Sequence, residues 1–190
     1  MINALSDESH PCQALADVLT IQEKKGTLEG VRISYIGDGN NVAVSLAQAA
    51  TLAGAHFSIA SPPGYRLPEN VLLQSEEYAS VSGGSLCTFD SPEEAVRDAD
   101  VVYTDVWTSM GQEDSYERRL QAFKDYQVTP ELVKAAKPDA IVMHDLPAHR
   151  GEEIVGEVID GPQSVVFDQA ENRLHAQAAI LLMVLGDSAE

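Results

Sequence analysis

The sequence predicts an α/β fold, a Rossmann-like parallel sheet of five or six strands with helices on both faces. Three observations carry that prediction. Short runs rich in Val and Ile recur along the chain, each is followed by a stretch of helical periodicity, and the first run ends in a Gly-rich turn, Gly37-Asp38-Gly39-Asn40-Asn41. Strands that are continuously apolar rather than alternating are buried on both faces, and regular alternation with helices makes them parallel. A length of 190 residues with 44% hydrophobic content suits one domain over residues 1–190 with a substantial core.

The elements follow in order. After Pro11, the residues Ala14, Leu15, Val18, Leu19 and Ile21 recur at helical spacing, and Lys24, Lys25 and Gly26 supply the charge and stop of a helix C-terminus. "VRISYIG" at 31–37 is a strand, and 42–53 a helix beyond the Gly-rich turn. The unit repeats as a strand at 55–61, a helix at 68–79 and a strand at 85–89. Ser91-Pro92-Glu93-Glu94 is a capped helix start with proline in the first turn. A strand at 100–107, helical segments at 116–126 and 129–136 and the strand "AIVMH" at 140–144 come next. A helix at 152–159, a sixth strand "SVVFD" at 164–168 and a final helix at 170–185 complete the pattern. Residues 180–185 are apolar nearly all round, so that end calls for cover from a second domain or subunit.

Composition excludes several classes. The formal charge of -18 repels nucleic acid and anionic membranes, and no apolar run approaches the roughly 20 residues of a membrane span. The start, "MINALSDESHP", has neither a basic nor an apolar leader segment, which points to a cytoplasmic protein. Cys12 and Cys87 lack metal-ligand spacing and read as small apolar side chains; His56 and His175 read as structural.

Ligands of such sheets bind beyond the carboxyl ends of the strands, which shortlists 38–41, 105–113, 144–150 and 168–173. The Gly-rich turn fits a dinucleotide fingerprint at Gly37 and Gly39, but Val42 stands where a third glycine is needed and no carboxylate closes the second strand. Asn40 and Asn41 instead offer amides at a helix N-terminus. Asp105 in "DVWTSMGQE" suits an ammonium group, and the backbone near Ser109 a carboxylate. His149 and Arg150 read as a solvated loop.

Five motifs in this order resemble the ornithine carbamoyltransferases: His10-Pro11-Cys12-Gln13 is similar to H-P-x-Q, Gly37 to Asn41 to G-D-G-N-N, and Asp105 with Ser109-Met110-Gly111 to D-x-x-x-S-M-G. His144-Asp145-Leu146-Pro147 resembles H-C-L-P, and Glu171-Asn172-Arg173 E-N-R. The resemblance implies that His10, Gln13, Arg173 and the backbone around Leu146 face carbamoyl phosphate, and that Asn41, Asp105, Ser109 and Met110 hold the α-amino-acid end of L-ornithine. His10 would polarise the carbonyl, and Arg173 would stabilise the departing phosphate. No metal or organic cofactor is implied. The S-M-G loop and Asp105 favour a basic amino acid over the dicarboxylate of the aspartate enzymes.

Two departures accompany the likeness. The family's carbamoyl-phosphate domain, with its S-T-R-T loop, precedes H-P-x-Q, so the chain corresponds to the ornithine-binding half alone, expected to have negligible turnover and an oligomeric state left open. Asp145 stands at the catalytic cysteine position, where a carboxylate adds negative charge and favours the unreactive protonated amine. Two other readings stand beside this one: an amino-acid-binding module without catalysis, and a dinucleotide-binding enzyme fragment.

Overall fold

The computed structural model describes residues 2–108 and 115–186. Five parallel strands lie in the order β3-β2-β1-β4-β5: β1 Arg32–Ile36, β2 His56–Ala60, β3 Ser85–Phe89, β4 Val101–Thr104 and β5 Ile141–His144. The period-2 alternation of strand side chains builds two cores. Ile33, Tyr35, Val101, Tyr103 and Met143 enter one, and Ile36, Val102 and Val142 the other. Tyr35 and Tyr103, both fully buried, stack with ring centroids 5.4 Å apart.

One face is covered by α1 (Pro11–Lys25), α2 (Asn41–Leu52), α3 (Glu69–Ser82) and the final helix, with α1 seated between the final helix and α2. The other is covered by α4 (Pro92–Val96), α5 (Tyr116–Phe123), α6 (Pro130–Val133) and α7 (Gly156–Ile159). Local chemistry sets the boundaries. Pro11 opens α1 and Gly26, at φ +81°, closes it by donating its N–H to Gln22 O at 2.8 Å. Asn40 Oδ1 caps α2 by accepting from the N–H groups of Val42 and Ala43, each at 3.1 Å. Ser91 Oγ caps α4 through Glu94 N at 3.2 Å.

Two expected elements are corrected. The sixth strand reduces to one isolated parallel bridge between Ser164 and Val142, after which α8 (Val166–Leu185) begins. Val166, Gln169, Asn172 and Ala176 are its buried residues, while Phe167 is exposed. Helical burial at intervals of three and four residues therefore starts inside the β-branched run that reads as a strand. The helix expected at 152–159 is only Gly156–Ile159, because residues 151–153 form a turn and Val128 donates to Glu153 O and accepts from Val155 N–H, bridging to Ile154. Along α8, Leu181, Leu182, Met183, Val184 and Leu185 are exposed. Among the described residues no helix is long and apolar enough to cross a membrane.

Gly39 accounts for the Gly-rich turn in terms of packing. Its N–H donates to Tyr65 O at 2.7 Å, and a Cβ there would meet Leu67 N at 2.4 Å. The loop after β2 packs directly on Gly39, so the glycine serves a close approach between two backbone segments. Gly39→Ala is expected to destabilise the fold by roughly 1–3 kcal/mol by forcing this loop outward, read from urea unfolding; an unchanged midpoint and slope would show that the approach relaxes freely.

Candidate active site

Register brings the chemistry to one level. Ile36 pairs with Thr104, and Thr104 with His144, so β1, β4 and β5 release Asp38 to Asn40, Asp105 and Asp145 at the same edge of the sheet. β1 continues into α2 on one face and β4 leads toward α5 on the other, which makes the β1/β4 boundary the switch point where such sheets open a crevice. Asn40 bridges that boundary by donating from Nδ2 to Asp105 Oδ2 at 2.6 Å, while Val106 N–H donates to Asp105 Oδ1 at 2.6 Å. Asp105 is thereby fixed by two donors.

Asp145 sits directly beside it: Asp105, His144 and Asp145 each bring one ligand-type atom within 4.8 Å of the others. Burial, followed by the charge of Asp105 and a hydrogen bond with it, raises the Asp145 carboxyl well above the ordinary carboxylate range. Both effects favour the neutral form of the Asp145 carboxyl. The next residue, Leu146, adopts φ +56°, a left-handed conformation costing a non-glycine residue about 1–2 kcal/mol, and a cis peptide joins it to Pro147. Leu146 N–H donates to His144 Nδ1 at 2.9 Å, and His144 Nε2 lies 3.1 Å from Glu153 Oε1. The imidazole therefore accepts at Nδ1 and donates at Nε2, and it acts as a bracket for the turn.

The other side of the edge comes from α1 and α8. His10 precedes α1, and its backbone N–H donates to Ser45 Oγ on α2 at 2.8 Å. Burial and then the Arg173 charge push its imidazole below the usual histidine value, against opposing contributions from the Ala4 carbonyl and Asp105; it is neutral at neutral pH. Arg173 Nη1 donates to Gln13 Oε1 at 2.9 Å, and Gln13 Nε2 donates to Asp17 Oδ1 at 2.8 Å. Gln13 is fully buried with both ends of its amide committed, so it orients Arg173 rather than reaching outward. Asn41 is likewise engaged, donating to Ser6 O at 2.7 Å and accepting from Val42 N at 3.0 Å. The structure thus gathers His10, Arg173, Asp105 and Asp145, with Leu146 beside them, while Gln13 and Asn41 serve as braces. Ser109 and Met110 lie outside the described residues.

Several supporting residues escape sequence reading. Asp17 accepts from Gln13, from Gln169 Nε2 at 2.7 Å and from Tyr103 OH at 3.1 Å; Gln169 Oε1 in turn accepts from His144 N–H at 2.9 Å. Arg119, buried on α5, pairs with Asp38, donates to Trp107 O and lies over the Tyr65 ring. Both had a signal: Asp17 falls between Ala14 and Ile21, and Arg119 one turn before Phe123, so each polar group sits on a buried helical stripe that demands a partner.

A doubly wound parallel sheet whose switch-point edge presents a fixed carboxylate opposite a neutral imidazole and a guanidinium defines an α/β domain for a small charged ligand. The chain belongs to the aspartate/ornithine carbamoyltransferase family, matching the model of its Asp/Orn binding domain over residues 29–184. It is 59% identical over 186 residues to the anabolic ornithine carbamoyltransferase of Pyrococcus furiosus, an alignment covering 98% of this chain and 59% of that protein. It is 55% identical over 185 residues to the ornithine carbamoyltransferase of Bacillus subtilis, covering 97% and 58%. Among solved structures, the P. furiosus enzyme superimposes with a TM-score of 0.93 at 58% identity, over 97% of this chain and 59% of that one. Giardia lamblia ornithine transcarbamoylase gives 0.90 at 34% identity, over 97% and 62%. The chain thus spans about three fifths of the length of these relatives.

Burial raises the Asp17 carboxyl from 3.8 to about 7 despite its three hydrogen-bond donors. Between those values the folded state keeps a proton that the unfolded chain has lost, so this group's contribution to stability falls as pH rises through the window and levels off above it. Asp17→Asn removes the titration. The loss of unfolding free energy from roughly pH 5 to pH 8 is expected to be smaller in the variant, measured by urea unfolding at both pH values; parallel profiles would show that Asp17 titrates alike in both states.

Proposed function

We propose that the chain is the ornithine-binding half of an ornithine carbamoyltransferase, in which L-ornithine and carbamoyl phosphate give L-citrulline and phosphate, as in arginine biosynthesis in the cytoplasm. The observation that carries this reading is the placement of Asp105 and Asp145 opposite His10 and Arg173 at one strand edge. Asp105, held by Asn40 and Val106, receives the α-ammonium group of ornithine, with the loop carrying Ser109 and Met110 as the remainder of that pocket. The neutral imidazole of His10 polarises the carbamoyl carbonyl, and Arg173, oriented by Gln13, meets the phosphate as its bond to the carbamoyl carbon breaks. The neutral δ-amine forms the new C–N bond and releases a proton. The Leu146 backbone lines the place where the two substrates meet.

Carbamoyl phosphate is dianionic, whereas Arg119, the other guanidinium beside this edge, is committed to Asp38. Efficient transfer therefore requires cations from a second, carbamoyl-phosphate-binding half, and the exposed apolar end of α8 is a surface such a half would cover. Asp145 sets the rate. Its carboxyl, hydrogen-bonded to Asp105, competes with the incoming amino acid for that carboxylate.

Calorimetric titration tests the binding step. L-ornithine and its unreactive analogue norvaline, which lacks the δ-amino group, should bind and NAD should not, and Asp105→Asn should weaken ornithine by roughly 1.5–3 kcal/mol, about tenfold to a hundredfold. Binding of NAD in place of ornithine would overturn the assignment. Turnover is read after mixing or fusing the chain with the carbamoyl-phosphate half of a relative. Asp145→Cys is expected to raise kcat there; equal rates for the two forms would remove Asp145 from the mechanism, and ornithine binding without turnover in either form would favour a binding module.

A further inference from the structure

A second cluster of ligating groups lies beyond β5, outside the edge described above. His149, Glu152 and Glu153 each bring one atom within 4.8 Å of the others. The carboxyl oxygens divide into used and unused atoms. Glu153 is fully buried; its Oε1 accepts from His149 N–H at 2.5 Å and faces His144 Nε2 at 3.1 Å, whereas Oε2 is buried without a hydrogen-bond partner. Glu152 Oε1 accepts from Tyr116 OH at 2.6 Å, and its Oε2 is likewise buried and unpartnered. His149 Nδ1 stands 3.9 Å from Glu153 Oε2 on a half-exposed ring. Two buried carboxyl oxygens with no donor are costly unless a cation meets them.

We propose that His149 Nδ1, Glu152 Oε2 and Glu153 Oε2 form a binding site for a divalent transition-metal ion of the zinc class. One imidazole nitrogen and two carboxylate oxygens are a common donor set for such ions, with water in the remaining positions. Ligands at about 2.0–2.2 Å from the ion stand roughly 3.4 Å apart, so the half-exposed His149 ring has only to swing inward. The surrounding groups already hold the ligands as outer partners of a metal site do: His144 on Glu153, Tyr116 on Glu152. The backbone is equally braced, since Gln127 Nε2 donates to Gly151 O at 2.8 Å and to Glu152 O at 2.7 Å. At the carboxylate cluster of the strand edge both Asp105 oxygens accept backbone or amide N–H groups and His144 Nδ1 accepts from Leu146, which leaves only Asp145 Oδ1 buried there without a hydrogen-bond partner. Bound there, the ion would fix the loop that carries Leu146 and Pro147.

The test is titration of the chain with zinc chloride in a Cys87→Ser background, which removes the exposed thiol. One equivalent should bind at micromolar concentration or below, and His149→Ala and Glu152→Gln should each weaken it by roughly tenfold or more. Asp145→Asn, at the other cluster, should leave it unchanged. Glu153 is not substituted, because it also anchors His144. An absence of saturable binding, affinity unchanged in both His149→Ala and Glu152→Gln, or binding lost only in Asp145→Asn would each overturn the proposal.

Discussion

The buried carboxyl of Asp17 is the interaction on which the arrangement of the site depends. It stands on α1, yet it receives Tyr103 from β4, Gln169 from α8 and Gln13 from its own helix. Through Gln169 the network reaches the backbone of β5 at His144, and through Gln13 it reaches Arg173. One oxygen pair thus sets the relative positions of a strand from the middle of the sheet, the strand at its edge and two helices that are distant in sequence. A hydrophobic contact in the same place would bury similar area without direction. Hydrogen bonds in a dry interior specify both distance and orientation, because each unsatisfied group there costs about 1–3 kcal/mol.

The same economy governs the charges at the strand edge. Asp38 and Arg119 neutralise one another where the chain leaves β1, and removal of one partner would strand a buried charge at a cost of about 3–5 kcal/mol. Asp105 and Asp145 are handled differently: burial and the Asp105 charge raise the Asp145 carboxyl well above the ordinary carboxylate range, which favours its neutral form. His10, beside Arg173, remains neutral for a related reason: burial and a neighbouring cation both disfavour its protonated form. The edge therefore displays one guanidinium, one neutral imidazole and a carboxyl pair in which burial favours the neutral form of Asp145, although the chain as a whole is strongly acidic.

Much of the fold was legible because burial on both faces leaves a direct mark, and the five strands stand where runs such as "RISYI" and "IVMH" place them. The two misread elements fail for identifiable reasons. Val165-Val166-Phe167 has strand composition, but burial at Val166, Gln169 and Asn172 is a helical pattern that only the tertiary context selects. Residues before Gly156 carry helix formers yet are drawn into pairing with Val128, a contact distant in sequence. At the site, strand-end position identified Asp105 and Asp145, since the parallel register places all such ends together. Motif position could not separate Arg173, which reaches the edge, from Gln13 and Asn41, whose amides are consumed by neighbours. That distinction depends on which partners are in reach, and Asp17 and Arg119 were visible only as polar residues out of place on apolar stripes.

The segment after β5 shows why a strand end so crowded with titratable groups is nonetheless stable. His144 is wholly buried, which by itself would be unfavourable, yet each ring nitrogen has a partner on its own segment: Leu146 N–H on one side and Glu153 on the other. Both are local, so the ring closes the turn on itself and stabilises the left-handed Leu146. Asp145 is the residue left over by this closure. It follows the last strand residue, and its carboxyl meets Asp105 across the edge instead of solvent. The geometry that makes the turn rigid is therefore what forces two carboxyls together. A smaller, less polar side chain at 145 would keep the His144 bracket intact while freeing Asp105 to act on a ligand alone, so the chemistry of this edge is governed at residue 145 while its shape is governed at residue 144.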